Sequence, residues 1–231
     1  MQASMDYGKA FTFPQLDADW IKKWAIAGGL SLIPIIGPIM VMGYALEITR
    51  RVITDNPQLL PEWADFGGIA KQGAYAFVTV LVYNIPTFIF VACAQLPNAL
   101  LPAILASADS DTADMLVGAS SAFMFLTVCC SCLLFIYAIL AGLVVPAALG
   151  RVAATGELGA AFRIQEVMAL VRAQPAVYLI IMLIGAVAMS IAATVGVILC
   201  VIGSAFTTAY VALVNAHLVG QAYRAASAPK P

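Results

Sequence analysis

The stretch AVYLIIMLIGAVAMSIAATVGVILCVIGSAFTTAYVALVNAHLVGQAY, running from Ala176 to Tyr223, holds no charged side chain. As a single helix rising ~1.5 Å per residue it would be roughly 70 Å long, more than two thicknesses of the ~30 Å hydrocarbon layer. It must therefore fold back. The helix-weakening glycines of VGVILCVIG predict that the turn lies around Gly196–Gly203. Two apolar helices joined in this way read as a membrane hairpin.

Composition extends that reading to the whole chain. Hydrophobic residues make up 63% and charged residues 10%, with a mean hydropathy of +0.97. A typical soluble domain has roughly 45–50% apolar and about 25% charged residues. A compact body of 231 residues has too little interior to hide so much apolar surface. A formal net charge of -1 gives no attraction for a polyanion, so nucleic acid is not expected as a partner. The expected class is an all-α, polytopic integral membrane protein whose first partner is the lipid bilayer.

Three more apolar blocks precede the quoted one: Trp24–Leu46, Ala74–Leu105 and Met115–Gly150. The first is interrupted by Pro34-Ile35-Ile36-Gly37-Pro38. It reads either as one span or as a hairpin of two short helices, because proline lacks the N–H a helix needs and Gly37 makes a turn easy. Charge favours the hairpin. The loop SADSDTAD, from Ser107 to Asp114, carries three aspartates and no base, so the positive-inside rule puts it outside. The segments around Arg50–Lys71 and Arg151–Arg172 then lie inside. With hairpins in the first and fourth blocks, all 11 Lys and Arg residues share the cytoplasmic side. A single first span would instead strand Lys9, Lys22 and Lys23 outside.

The preferred layout has about six membrane segments, the first two short. Residues 1–19 form a cytoplasmic N-terminal segment, 20–223 a single helical membrane domain and 224–231 a cytoplasmic tail; five spans is the alternative. Residues 1–20 lack an apolar h-region, so no cleavable signal peptide is expected.

Two polar interludes read as cytoplasmic amphipathic surface helices. In Pro61–Gln72, Pro61 suits a first helical position and Glu62 the positive helix end. Trp63, Phe66 and Ala70 fall in one stripe, as in a helix lying on a membrane. The second, Gly156–Pro175, carries Phe162, Val167, Leu170 and Val171 among Arg163, Glu166 and Arg172; Arg163 and Glu166 can pair on the wet face. Arg51-Val52 and Arg151-Val152, roughly 100 residues apart, each follow an apolar helix, and Lys71 and Arg172 each close the following amphipathic stretch. That spacing marks a candidate internal repeat.

Phe11-Thr12-Phe13, Asp19-Trp20, Gly28-Gly29, the break at Pro34 and Gly37-Pro38, Gly43-Tyr44 and Arg50-Arg51 lead to the most specific segment, Leu60-Pro61-Glu62-Trp63-Ala64-Asp65-Phe66, followed by Gly73. With Tyr83-Asn84-Ile85-Pro86 and Ala216-His217-Leu218-Val219-Gly220-Gln221, this pattern resembles the membrane family known as domain of unknown function 4013. The resemblance implies a bacterial or archaeal membrane protein and carries over no catalytic or ligand residue.

Polar residues at membrane depth are the candidate sites. Glu47 lies within one helical turn of Arg50 and Arg51, either as a gating ion pair or as a helix end at the headgroups. Asn84 precedes the helix-kinking Pro86, a structural kink or half of a broken-helix binding site. Asn215, His217 and Gln221 share the last helix, where interhelical hydrogen bonding is the simpler role for the single histidine. Cys129, Cys130 and Cys132 could present a soft-metal pair, but these thiols, like Cys93 and Cys200, lie in apolar stretches and read as small packing residues without a disulfide. Without an HExxH motif, a phosphate loop or a serine–histidine arrangement, no enzyme, metal or cofactor is expected. The function expected is a scaffold or accessory subunit of a larger membrane complex, joined to other subunits or to itself. The alternative is a small-molecule or ion transporter or channel built on the repeat.

Overall fold

The computed structural model describes residues 5–107, 109, 111–112, 120–198 and 200–228. Much of the expected external loop, the start of the third block at Met115, and Lys230 lie outside these. Everything described is helix or connecting turn: α1 Tyr7–Thr12, α2 Trp20–Ser31, α3 Ile36–Ile53, α4 Phe66–Ser107, α5 Ser120–Thr155, α6 Ile164–Ala173, α7 Pro175–Ile198 and α8 Cys200–Ser227, with 3₁₀ turns at Phe13–Leu16 and Leu158–Phe162. Four helices are long and apolar enough to cross a membrane, lying within α4, α5, α7 and α8.

The chain divides into two compact units, Met1–Val80 with Gly142–Pro231, and Leu81–Ala141. In the first, α8 packs against α7, α3, α2, α1 and α6. The α7–α8 hairpin turns inside the window its glycines mark: Thr207 Oγ1 donates to the Ala192 carbonyl at 2.9 Å, and Gly196 lies against the Ser204 backbone. The first block is also a hairpin. α2 stops at Ser31, the chain turns with Ile35 at φ 68°, and α3 accommodates Pro38 in its first turn, where no N–H is required. With 12 and 18 residues, α2 and α3 are roughly 18 and 27 Å long, short of the hydrocarbon thickness. α3 then meets α4 where two glycines let the backbones touch. A Cβ on Gly43 would sit 1.9 Å from the Ile69 carbonyl oxygen, and one on Gly73 would sit 2.0 Å from that of Ile39.

In the second unit, the later part of α4 runs beside the earlier part of α5. The Tyr137 hydroxyl donates to the Tyr83 carbonyl at 2.5 Å and Thr127 Oγ1 to that of Ala94 at 3.3 Å. Most large apolar side chains here point outward.

Pro61–Gln72 is not a surface helix. Residues 61–65 are irregular, Asp65 caps the next helix by accepting the Gly68 N–H at 2.8 Å, and Phe66–Gln72 is simply the start of α4. The expected stripe is split: Phe66 is exposed, but Trp63 is buried in the core at 8% exposure. In the second interlude a 3₁₀ turn precedes the short α6, which buries Val167, Leu170 and Val171. Arg163 and Glu166 lie 3.8 Å apart on the exposed side. α8 continues past Tyr223 to Ser227, so the tail expected from residue 224 begins as helix.

Candidate functional site

The segment that carries the family resemblance lies in a polar cluster with Asp17, Lys23 and Tyr44. α2 presents Lys23 on the same side as Ala27, and both are buried. Its ammonium donates to Asp17 Oδ2 at 2.8 Å and to the Leu60 carbonyl at 3.3 Å, and pairs with Glu62 at 2.6 Å. The next residues complete the clasp: the Tyr44 hydroxyl of α3 donates to the Pro61 carbonyl at 2.9 Å, and the Trp63 indole N–H donates to the Lys23 carbonyl at 3.1 Å. The Trp63 and Tyr44 rings stack with centroids 4.3 Å apart and planes within 3°. Burial pushes the Asp17 carboxyl up. The hydrogen bond from Lys23, the Asp19 N–H and the ammonium charge outweigh that, leaving it below its ordinary value.

A second cluster lies at the end of α3. Buried Glu47 accepts from Arg50 at 2.8 Å and Arg51 at 3.1 Å through one oxygen, and from Gln72 of α4 at 2.9 Å through the other. Arg51 also donates to the Gln58 carbonyl at 2.9 Å. Glu47 thus holds both arginines of its own helix, and Gln72 is a partner that the spacing did not indicate. At the end of α5, Arg151 pairs with Glu166 of α6.

His217 and Asn215 point to different neighbours. Asn215 lies against Gly185 of α7. His217 is buried and stacks on Phe13 at 4.5 Å. Its Nδ1 bonds Gln221 Nε2 at 2.9 Å within α8, so this hydrogen bond is not interhelical. Gln221 carries the link onward, accepting the Asp6 N–H at 2.8 Å and donating to the Asp6 carbonyl at 3.0 Å. A cleft of about 340 Å³ opens beside them, lined by Asp6, Lys9, Asp55, His217, Gln221 and Arg224. Its charges balance, and Arg224 is already paired with Asp55 at 2.7 Å.

Pro86 lies inside α4 without ending it, and Thr87 donates to Asn84 at 3.4 Å. Among the described residues no three His, Cys, Asp or Glu side chains converge as a metal site. Cys132 is exposed and Cys129 half-buried, while buried Cys130 touches Cys93 across the helix pair, its sulfur at 2.7 Å. The Cys200 side chain lies outside the described residues.

Sequence reasoning missed Lys23, Asp17, Tyr44 and Gln72 as members of these clusters. Lys23 did leave a trace, since it shares the phase of Ala27 and Leu30 at i, i+4 and i+7, whereas Lys22 does not. The clusters tie backbone carbonyls, loops and helix ends together. No curated protein and no solved structure matches the chain. The model of the family described as "Protein of unknown function (DUF4013)" matches residues 26–201, a span that includes the Lys23-bound Leu60–Phe66 segment, and the chain belongs to that family.

Proposed function

We propose that this protein is a structural component of a prokaryotic cytoplasmic membrane, a scaffold or accessory subunit of a larger membrane assembly. The observation that carries the reading is the surface of α4 and α5 in the Leu81–Ala141 unit. Phe125 and Phe135 are 71% and 69% exposed, and Ile85, Phe88, Ile89, Met124 and Ile136 are exposed with them. Lipid or partner helices must cover such a surface, and without a hydrophobic drive between helices in lipid, packing decides which. The buried charges, by contrast, are engaged within the chain. The topology that accompanies this reading has about six segments, both termini and the Leu60–Phe66 loop cytoplasmic, and the Asp109–Asp114 region external. The hydrogen bonds between Asp6 and Gln221 support one side for both ends.

The test is extraction from native membranes into lipid nanodiscs, followed by photo-cross-linking from Phe125 and Phe135. A stoichiometric partner chain, or a second copy, cross-linked at these positions is the expected result. Cross-links to lipid alone, with a monomeric particle, would refute the reading. A transporter or channel built on a repeat is the second reading. It draws on Pro86 inside α4 and on the like placement of Arg51-Val52 and Arg151-Val152 at the ends of α3 and α5. A small molecule retained through the same purification would favour it.

A further inference from the structure

We propose that Cys93 and Cys130 are the two halves of a disulfide that cross-links α4 to α5. The two thiols are 37 positions apart in sequence, yet their sulfurs lie 2.7 Å from each other, closer than non-bonded sulfurs ordinarily rest. Closing to a bond of about 2.05 Å asks for a movement of only ~0.7 Å. The register is fixed independently of the sulfurs. Thr127 Oγ1 donates to the carbonyl of Ala94, the residue after Cys93, and Tyr137 donates to the carbonyl of Tyr83 further along the same pair of helices. Cys130 is buried and Cys93 half-buried, so the contact faces into the helix pair. The CCSC cluster thus divides: Cys130 is paired, whereas Cys132 is exposed and Cys129 is its half-buried neighbour.

The reaction needs a two-electron oxidant able to enter an apolar region, and an uncharged peroxide is the class that fits. One thiol displaces water from hydrogen peroxide to become a sulfenic acid. The second thiol attacks that sulfur and expels its hydroxyl as a second water, with the two thiol protons ending in the waters. Two electrons leave the sulfur pair, the O–O bond is reduced, and an S–S bond forms. An apolar setting disfavours thiolate and slows the first step, but adjacency makes the second intramolecular. The bond would tie together a helix pair that buries little of its own surface.

The full-length protein in native membranes is treated with hydrogen peroxide, alkylated, digested without reductant and analysed by mass spectrometry. The expected product joins the Cys93 and Cys130 peptides at two hydrogens below their summed mass and disappears on treatment with dithiothreitol. Cys129→Ser and Cys132→Ser should retain it, and Cys93→Ser and Cys130→Ser should abolish it. The wild-type digest is decisive on its own, so misfolding of a serine variant does not blunt the test. Full alkylation of both thiols after peroxide, or a cross-link running through Cys129 or Cys132, would overturn the proposal.

Discussion

At the scale of single residues, Trp63 decides how the Leu60–Phe66 segment is understood. A tryptophan beside acidic residues and ahead of an apolar helix is what a membrane-surface helix uses, and its partners lie far away in sequence at Lys23 and Tyr44. No local spacing reveals that pairing, so the motif was legible as a family mark but its role was not. Trp63→Ala is expected to destabilise the protein by about 3–5 kcal/mol through loss of a buried ring, measured by thermal or SDS unfolding in detergent. In a chain with Trp20 and Trp24 replaced by Phe, Trp63 emission should be blue-shifted and shielded from iodide. It should also resist brominated lipid; quenching by the lipid probe would return Trp63 to the membrane surface. Asp17 supplies a pH signature. Its carboxyl lies below its ordinary value, so its contribution is fully present above that value and is lost as pH falls through the native one. Asp17→Asn should cost ~1–3 kcal/mol at neutral pH. The gap between it and the wild type should close as the medium is acidified below pH 4. A gap that stays constant down to pH 2 would mean the Lys23 contact contributes nothing.

Among the elements, hairpins were the legible part, because proline and glycine break helices for local reasons. The PIIGP interruption and the Gly196–Gly203 window both hold turns. The start of α4 was not legible, because Phe66 and Ala70 would share a stripe whether their helix ended at Gln72 or ran on to Ser107. What separates the cases is the contact of α3 with α4 at Gly43 and Gly73, which a single sequence does not display. Gly43→Ala drives its Cβ toward the Ile69 carbonyl, a backbone atom that cannot rotate away, so the helices must part. The expected loss is about 1–3 kcal/mol or more. Gly29→Ala is the matched control, since a Cβ there meets nothing within 4 Å. It should be neutral or raise stability by up to ~1 kcal/mol, as alanine favours a helix. Equal destabilisation by the two substitutions, compared by SDS unfolding, would remove the close-approach argument.

For the whole molecule, composition made the helical membrane class plain and the charge pattern gave an expected sidedness, to which the fold adds a contact between the N-terminal segment and α8. The N-terminal segment is docked on α8: the Tyr210 hydroxyl donates to the Phe11 carbonyl, Phe13 stacks on His217, and Asp6 and Gln221 exchange two hydrogen bonds. Hydropathy could not show this, because residues 1–19 contain no apolar run long enough to register. Its consequence is topological. Asp6 and Gln221 touch, so they lie at one membrane level, and the few residues from Asp6 to Gly8 reach at most ~7–11 Å when extended. That is far short of the ~30 Å of hydrocarbon. The Lys23–Glu62 pair ties the Leu60–Phe66 loop to the start of α2 in the same way. Cysteines introduced singly at Gly8, Glu62 and Ser227, in a background without native thiols, are therefore expected to react with a membrane-impermeant maleimide from one side only. On the charge argument that side is the cytoplasm, and a cysteine at Asp111 should react from the other. Labelling of Gly8 and Ser227 positions from opposite sides would contradict the Asp6–Gln221 contact itself, whereas labelling of all three from outside would leave the fold intact and reverse its orientation.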